Sequence, residues 1–331
     1  QLIGLITAIT DQCDLAENQI KNITQVLDTQ AILPDALYKL TLWAARYYFT
    51  SQGQMLSQAL PVALRKGADT APQEITQYCL TSQGQAAQVS MLNRAPAQKK
   101  LFDALKEHPL THDEFVSLEY SKAALKALED KGWVERKAQT ITIDLSWRQQ
   151  LDITETPHKL NKQQAVAVSI LNQQQGFNCS LLEGVTGSGK TEVYLSVLEA
   201  ILKQGKQALI LVPEIGLTPQ TINRFKRRFA VNIAVIHSGL TDNQRLDAWR
   251  QARSGQAAII IGTRSALFTP MLFPGIIILD EEHDASFKQQ EGVRYHARDL
   301  AVMRGHYEDI PVILGTATPS LESLQNAISG R

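Results

Sequence analysis

The segment Ser180-Leu181-Leu182-Glu183-Gly184-Val185-Thr186-Gly187-Ser188-Gly189-Lys190-Thr191 decides how this chain is read. Its last eight residues fit G-x-x-x-x-G-K-[ST] in full. Ser180–Glu183 predicts a strand before the loop, and Thr191–Lys203 a helix after it. Between such flanks, Gly184, Thr186, Gly187, Ser188 and Gly189 let backbone N–H groups curl around phosphates. Lys190 would reach the outer phosphate oxygens, and the Thr191 hydroxyl would ligate Mg²⁺. A plain Gly/Ser turn needs neither flank.

Outward from that loop, residues 158–331 alternate strand and helix patterns. Strands are expected at Ala208–Val212, Ile233–His237, Ala258–Gly262, Ile276–Asp280 and Val312–Gly315, and helices at Pro219–Phe229 and Asn243–Arg253. This is the signature of an α/β fold with a parallel sheet wrapped by helices. Ile276-Ile277-Ile278-Leu279-Asp280-Glu281-Glu282-His283 reads as a buried strand ending in carboxylates, where open α/β sheets place ligands. Asp280 is expected to hold Mg²⁺ through its water shell, and Glu281 to polarise an attacking water. A kinase needs no such glutamate; an ATP hydrolase does. Read alone, the cluster is also compatible with a solvated acidic loop.

The front half is less regular. In block 1–68, strands are expected at Leu2–Thr10 and Lys21–Leu27, then a helix from Pro34-Asp35 carrying Leu37, Leu40, Leu42 and Trp43. The polar stretch 69–94 reads as a linker. Block 95–150 predicts a helix with Leu101 and Leu105 on one face, a short one at Thr111–Leu118, and a third at Ser121–Lys131. Ser121 is its N-cap, and Leu125 and Leu128 face inward. Trp133–Arg136 and Thr140–Asp144 then read as a hairpin. Three helices and a hairpin make a winged-helix arrangement. The alternative is a small helical domain without a nucleic-acid role, and Glu129 and Asp130 put acid on the third helix.

The 331 residues suffice for two or three domains, and 44% hydrophobic residues suit a globular protein. Lys+Arg and Asp+Glu both number 33, so overall basicity offers no argument for nucleic acid. Cys13, Cys79 and Cys179 are scattered, with no Cys-x-x-Cys, which disfavours a disulfide framework or thiolate zinc site and suits a cytoplasmic setting. No apolar run approaches membrane-helix length, so no membrane partner is expected. The first residues lack a methionine and a basic region, and read as a strand begun mid-protein. Arg224-Phe225-Lys226-Arg227-Arg228 is expected to be a solvated helix end, and His237 to serve packing.

The D-E-E-H strand after such a P-loop resembles superfamily 2 helicases. Leu160-Asn161-Lys162-Gln163-Gln164 resembles their upstream Gln motif, with Gln164 as adenine reader. Val212-Pro213-Glu214-Ile215-Gly216-Leu217-Thr218-Pro219-Gln220 resembles motif Ia, Gly262-Thr263-Arg264-Ser265-Ala266-Leu267-Phe268 motif Ib, and Gly315-Thr316-Ala317-Thr318-Pro319 motif III. Together they resemble the bacterial replication-restart helicases over nearly the whole chain.

That resemblance implies a RecA-like lobe at 158–331, preceded by a partial β-rich 3′-end DNA-binding domain at 1–68 and a winged helix at 95–150. It implies an ATP- and Mg²⁺-dependent 3′→5′ DNA helicase with Lys190 and Glu281 catalytic. Its partners would be forked or single-stranded DNA, primosome proteins and single-strand-binding protein. DNA contacts are implied for Lys21, Thr218, Thr263, Arg264, Arg294 and Tyr295, the last two in an aromatic-rich loop with Phe287. Coupling roles are implied for His283, Thr316 and Thr318. Arg264 as a structural fork and Phe287 as core packing remain open alternatives. The family's zinc-binding cysteine clusters and motifs IV–VI, with their arginine finger, have no counterpart here. They are expected in the rest of a longer protein, so little turnover is expected from this chain alone. The competing readings are another superfamily 2 translocase, such as a branch-migration enzyme, and a DNA-binding module with an inactive ATPase lobe.

Overall fold

The structure is a computed structural model and describes residues 3–71, 74–88, 92–140, 143–156 and 158–330. Residues up to 71 and from 143 onward form one compact unit, and 72–142 form a second.

The first unit opens with an irregular stretch. Leu2 lies outside the described residues; from residue 3 to 33 the only helical turn is Glu17–Gln19, and no strand forms. The alternation of Leu2–Thr10 and Lys21–Leu27 therefore misleads, and for a physical reason. A strand is stable only when hydrogen-bonded into a sheet, and no described strand pairs with this stretch. Ile3, Ile6, Ile9, Ile20, Ile23 and Val26 stay exposed. Helices α1 (Asp35–Tyr47), α2 (Gln52–Ala59) and α3 (Val62–Arg65) follow. Leu37, Leu40 and Ala44 recur at helical spacing on α1 and are buried.

The second unit begins inside the expected linker. Residues 74–80, amid a Gln-rich stretch, form strand β1 (Glu74–Leu80), which runs into α4 (Ser82–Ala86). The polar composition hid a β-prone core of Thr76, Tyr78, Cys79 and Leu80. Helix α5 (Pro96–Glu107), strand β2 (Leu110–Thr111), helices α6 (His112–Ser117) and α7 (Lys122–Asp130) and strand β3 (Val134–Thr140) complete it. The expected hairpin does not form. β3 runs unbroken through residues 134–140 and pairs antiparallel with β1, giving the order β2-β1-β3. Residues 141–142 lie outside the described set, and 143–144 are not strand. Glu129 of α7 is paired with Arg136 of β3 at 2.6 Å.

The rest of the first unit is a wound α/β lobe. In order come α8 (Lys162–Gln173), β4 (Cys179–Glu183), α9 (Lys190–Lys203), β5 (Gln207–Leu211), α10 (Pro219–Arg228), β6 (Ile233–Ile236), α11 (Asp242–Arg253) and β7 (Ile259–Gly262). Then follow β8 (Pro274–Asp280), the short β9 (Lys288–Gln289) and β10 (Tyr295–His296), α12 (Ala297–Glu308), β11 (Val312–Thr316) and α13 (Leu321–Ser329). Six strands lie parallel in the order β4-β11-β8-β5-β7-β6. β5, β7, β8 and β11 are almost wholly buried because both faces are covered, whereas the edge strand β4 is only half-buried. Ile210, Ile276 and Ile278 meet α9 and α10 on one face. Leu209, Ile277 and Leu279 share the opposite face with α11, α12 and α1, so the front helices belong to the lobe's own core.

Register fixes the site. Gly315 of β11 sits opposite Leu182 of β4 on one side and Asp280 of β8 on the other. A Cβ at Gly315 would fall on the hydroxyl of Tyr194, which is 2% exposed on α9. Gly315→Ala should lower unfolding free energy by about 1–3 kcal/mol, the usual cost of overpacking a tight core. Urea denaturation measures it.

Candidate nucleotide site

β4 ends at Glu183, and the Gly184 amide donates to the Thr316 carbonyl at 3.0 Å, tying the loop to β11. Gly187 (φ +80°) and Gly189 (φ +84°) take the left-handed conformations that glycine adopts freely. Gly189 then caps α9. A Cβ on Gly189 would collide with the Gln164 amide. Gln164 lies on the loop crest. Its Oε1 accepts the Asn161 amide at 2.8 Å in a capping box, and its Nε2 donates to the Ser188 carbonyl at 2.9 Å. Both ends of the side chain expected to read adenine are thus held by the chain itself.

Lys190 Nζ donates to the Gly184 carbonyl at 2.7 Å and stands 3.3 Å from Glu281 Oε1. Asp280, at the end of β8, accepts the Tyr194 hydroxyl at 3.0 Å and the Glu281 amide at 3.2 Å. Glu281 has φ +50°, a conformation costing on the order of 1–3 kcal/mol for a non-glycine residue. Its Oε2 accepts the Ala317 amide at 3.3 Å and lies 3.7 Å from His283 Nδ1. His283 Nδ1 is 2.7 Å from Thr316 Oγ1, which also accepts the Thr318 amide at 3.1 Å. One connected set thus joins Lys190, Glu281, His283, Thr316 and Thr318.

Burial raises the Asp280 carboxyl above the usual range, helped by neighbouring Glu281; the Tyr194 hydroxyl and Lys190 pull the other way without prevailing. Burial likewise pushes the Tyr194 hydroxyl well up.

A hollow of about 670 Å³, large enough for a nucleotide, is lined by the loop from Val185 to Thr191 and by Asp280, Glu281, Glu155 and His158. Two groups, the Thr191 hydroxyl and the Asp280 carboxylate, could hold Mg²⁺, and among the described residues no cluster of three or more metal-ligating His, Cys, Asp or Glu exists. That sparse donor set fits Mg²⁺, which keeps waters and leans on substrate phosphates. When bound, the ion would neutralise charge on the outer phosphate oxygens.

The remaining expected contacts lie elsewhere. Lys21 sits on the exposed irregular stretch, Thr218 caps α10 by accepting the Thr221 amide, and Arg294 is exposed. Arg264 donates to the carbonyls of Ser286 and Lys288 at 3.0 and 3.3 Å, the structural-fork alternative. Two expectations are corrected. Thr263 is 5% exposed, and Tyr295 is 2% exposed with its ring edge-on to Phe268 at 5.4 Å. Phe287 is also buried, so those rings serve the core and offer no face to a base. Arg228 is no solvated helix end either. It is 2% exposed and lies 3.5 Å from both Glu192 and Glu199 of α9, whose carboxylates draw it inward. His237 accepts the Gly239 amide at a turn.

The sequence reading missed three features. Tyr194 was findable, since it lies four residues after Lys190 on the inward face of α9. Glu282 was not, because three adjacent acids look alike in sequence. It is fully buried, with Arg298 at 3.1 Å, the Ser320 amide at 2.8 Å and the Ser323 hydroxyl at 3.0 Å. Burial opposes its charge, but those donors hold its carboxyl below the usual range. Tyr48, just past α1, donates to Asp299 and accepts the His296 amide, each at 3.1 Å.

The lobe that carries this geometry matches known proteins by sequence. The profile of the DEAD/DEAH box helicases matches residues 161–327. The chain belongs to that family. The 3′DNA-binding domain of PriA matches residues 1–61, and the winged helix of primosomal protein N′-like proteins matches 74–136. Curated relatives called Replication restart protein PriA include one from Haemophilus influenzae, 47% identical over 99% of this chain, and one from Bacillus subtilis, 31% identical over 99%. The chain spans 45% and 49% of those two proteins. Among solved structures, RecG bound to a three-way DNA junction aligns at TM-score 0.39 and 23% identity over 53% of this chain and 23% of that one, too loosely to add to the sequence matches.

Two consequences can be measured. Because the raised Asp280 carboxyl must ionise inside the fold, Asp280→Asn should leave thermal stability equal or higher. The same change should weaken Mg²⁺-dependent nucleotide binding roughly tenfold or more, the loss of one charged contact. Differential scanning fluorimetry with and without Mg²⁺·nucleotide reads both. Arg298→Met should destabilise by about 3–5 kcal/mol, because it strands Glu282 as a buried charge. The Glu282 contribution is present above the unfolded carboxyl pKa and is lost as pH falls through the lower folded value. The gap between Arg298→Met and the parent should therefore narrow in acid urea titrations.

Proposed function

We propose that this chain is the ATP-binding part of a DNA helicase that acts in replication restart. The relatives' name supports restart, and the connected Lys190–Glu281–His283–Thr316 set supports ATP hydrolysis coupled to movement. Lys190 stands within ion-pair distance of Glu281. Arriving phosphate oxygens compete for that ammonium and release Glu281 to orient and deprotonate a water. His283 and Thr316, bonded to each other beside Glu281, then relay its state to Thr318 in the following loop. Translocation 3′→5′, primosome assembly, binding of forked or single-stranded DNA and contact with single-strand-binding protein belong to the same reading. So does a cytoplasmic location. Lys21, Thr218 and Arg294, all exposed, stay as candidate DNA contacts.

Because the chain spans less than half the length of most of its curated relatives, its own turnover should be slow. An arginine finger is worth roughly 10³–10⁵ in rate where it has been characterised, and the resemblance puts it outside this chain. A different superfamily 2 translocase is the weaker reading, since a replication-restart winged helix precedes the lobe. An inactive ATPase module is disfavoured by the assembled Lys190, Thr191, Asp280 and Glu281.

Glu281→Gln, placed in a protein of the relatives' full length, should lower DNA-stimulated ATP hydrolysis by about 10²–10⁴ while nucleotide still binds. A coupled phosphate-release assay and a filter-binding assay give the two numbers. Unchanged turnover would refute the role of Glu281. DNA-stimulated hydrolysis by residues 1–331 at the full-length rate would refute the slow-turnover part.

A further inference from the structure

Helix α10 carries four cations, Arg224, Lys226, Arg227 and Arg228. Residues four apart share a helix face, so Arg224 and Arg228 are neighbours on one side of α10. Their surroundings differ. Arg228 is buried and occupied by Glu192 and Glu199. Arg224 is exposed and, among the described residues, makes no ion pair or side-chain hydrogen bond.

Two hollows meet beside it. One runs along the phosphate loop toward Glu155 and His158. The other runs between the end of β5, the start of α10 and the loop after β11, past His283, Ala317 and Thr318. Five residues line both: Thr186, Thr191, Asp280, Glu281 and Arg224. The first four are the loop threonine, the two Mg²⁺-holding groups and the water-orienting glutamate. Arg224 is the only one of the α10 cations in that group, since Arg227 and Arg228 line the first hollow alone. The neighbouring carboxylates are already engaged, Glu281 by Lys190 and Asp280 by Tyr194. An uncommitted guanidinium therefore borders the place where the outer end of a triphosphate must lie.

We propose that Arg224 binds the terminal phosphate of the nucleotide, as a cation supplied by the same lobe that carries the phosphate loop. The inference rests on the reading of that loop as an ATP site. A guanidinium suits the task because its planar fork can bond two phosphate oxygens at once, which a lysine cannot. A contact with the terminal phosphate would let this lobe distinguish ATP from ADP by itself.

Isothermal titration of the 331-residue chain with ADP·Mg²⁺ and with AMP-PNP·Mg²⁺ tests the proposal. Arg224→Ala and Arg224→Gln should weaken AMP-PNP tenfold to a hundredfold and leave ADP within about threefold. Arg224→Lys should recover part of the loss. Equal affinities in variant and parent, or equal losses for the two nucleotides, would overturn it. The parent chain and Lys190→Ala separate the two levels of the argument. If the parent binds neither nucleotide, the ATP-site reading itself fails. If the parent binds both and Lys190→Ala neither, a null result at Arg224 removes this proposal alone. Because Arg224 is solvent-facing, both neutral variants should melt with the parent, so a loss of affinity reports binding.

Discussion

Everything that makes a site here depends on the pairing of β11 between β4 and β8. Parallel strands in register bring their carboxyl ends to one edge, and three segments distant in sequence end at that edge together. The phosphate loop leaves β4, the acidic cluster leaves β8 and the Gly-Thr-Ala-Thr turn leaves β11. A slip of one residue would reverse every inward side chain. Gly315 is the narrow point of this arrangement, because the Tyr194 hydroxyl fills the space where a side chain would go and there meets Asp280.

The carboxylates at that edge are arranged by different forces. Asp280 is half-buried, and desolvation raises its carboxyl above the usual range. Glu281 sits on a strained backbone and leans on Lys190. Glu282 points into the interior and is neutralised by Arg298 and hydroxyl donors. Three adjacent acids thus take three roles because the strand end turns sharply, and the turn is where Glu281 adopts its positive φ.

Much of this was legible in the sequence. The central parallel strands showed as largely apolar runs, and the loop glycines and the aspartate at the strand end showed by type and spacing. What failed did so for physical reasons. The front alternation looks like strand, but strand is a property of a pair, and the described residues supply none. β1 was hidden because its stability comes from pairing with β3 and from buried Tyr78, while its composition is polar. Tyr295 was expected to meet DNA, and Phe287 was left open between that loop and the core, because sequence gives the chemistry of a ring and not the side on which it lies. The role of Glu282 was illegible for a simpler reason: nothing in D-E-E-H says which carboxylate turns inward.

The single hydroxyl of Tyr48 reaches further than its two hydrogen bonds suggest. By joining the end of α1 to Asp299 and the His296 amide, it fastens the front helices to the very helix that follows the acidic turn. Leu37, Leu40 and Ala44 share their core with Leu300 and Ala301 across that seam. The boundary expected after residue 68 is therefore no seam for dissection. An excised motor lobe beginning at residue 158 would present a bare apolar flank, and the front helices alone would keep only half a core. The two should therefore melt together, with α12 packed in a core shared between a segment matched to a DNA-binding domain and one matched to a helicase.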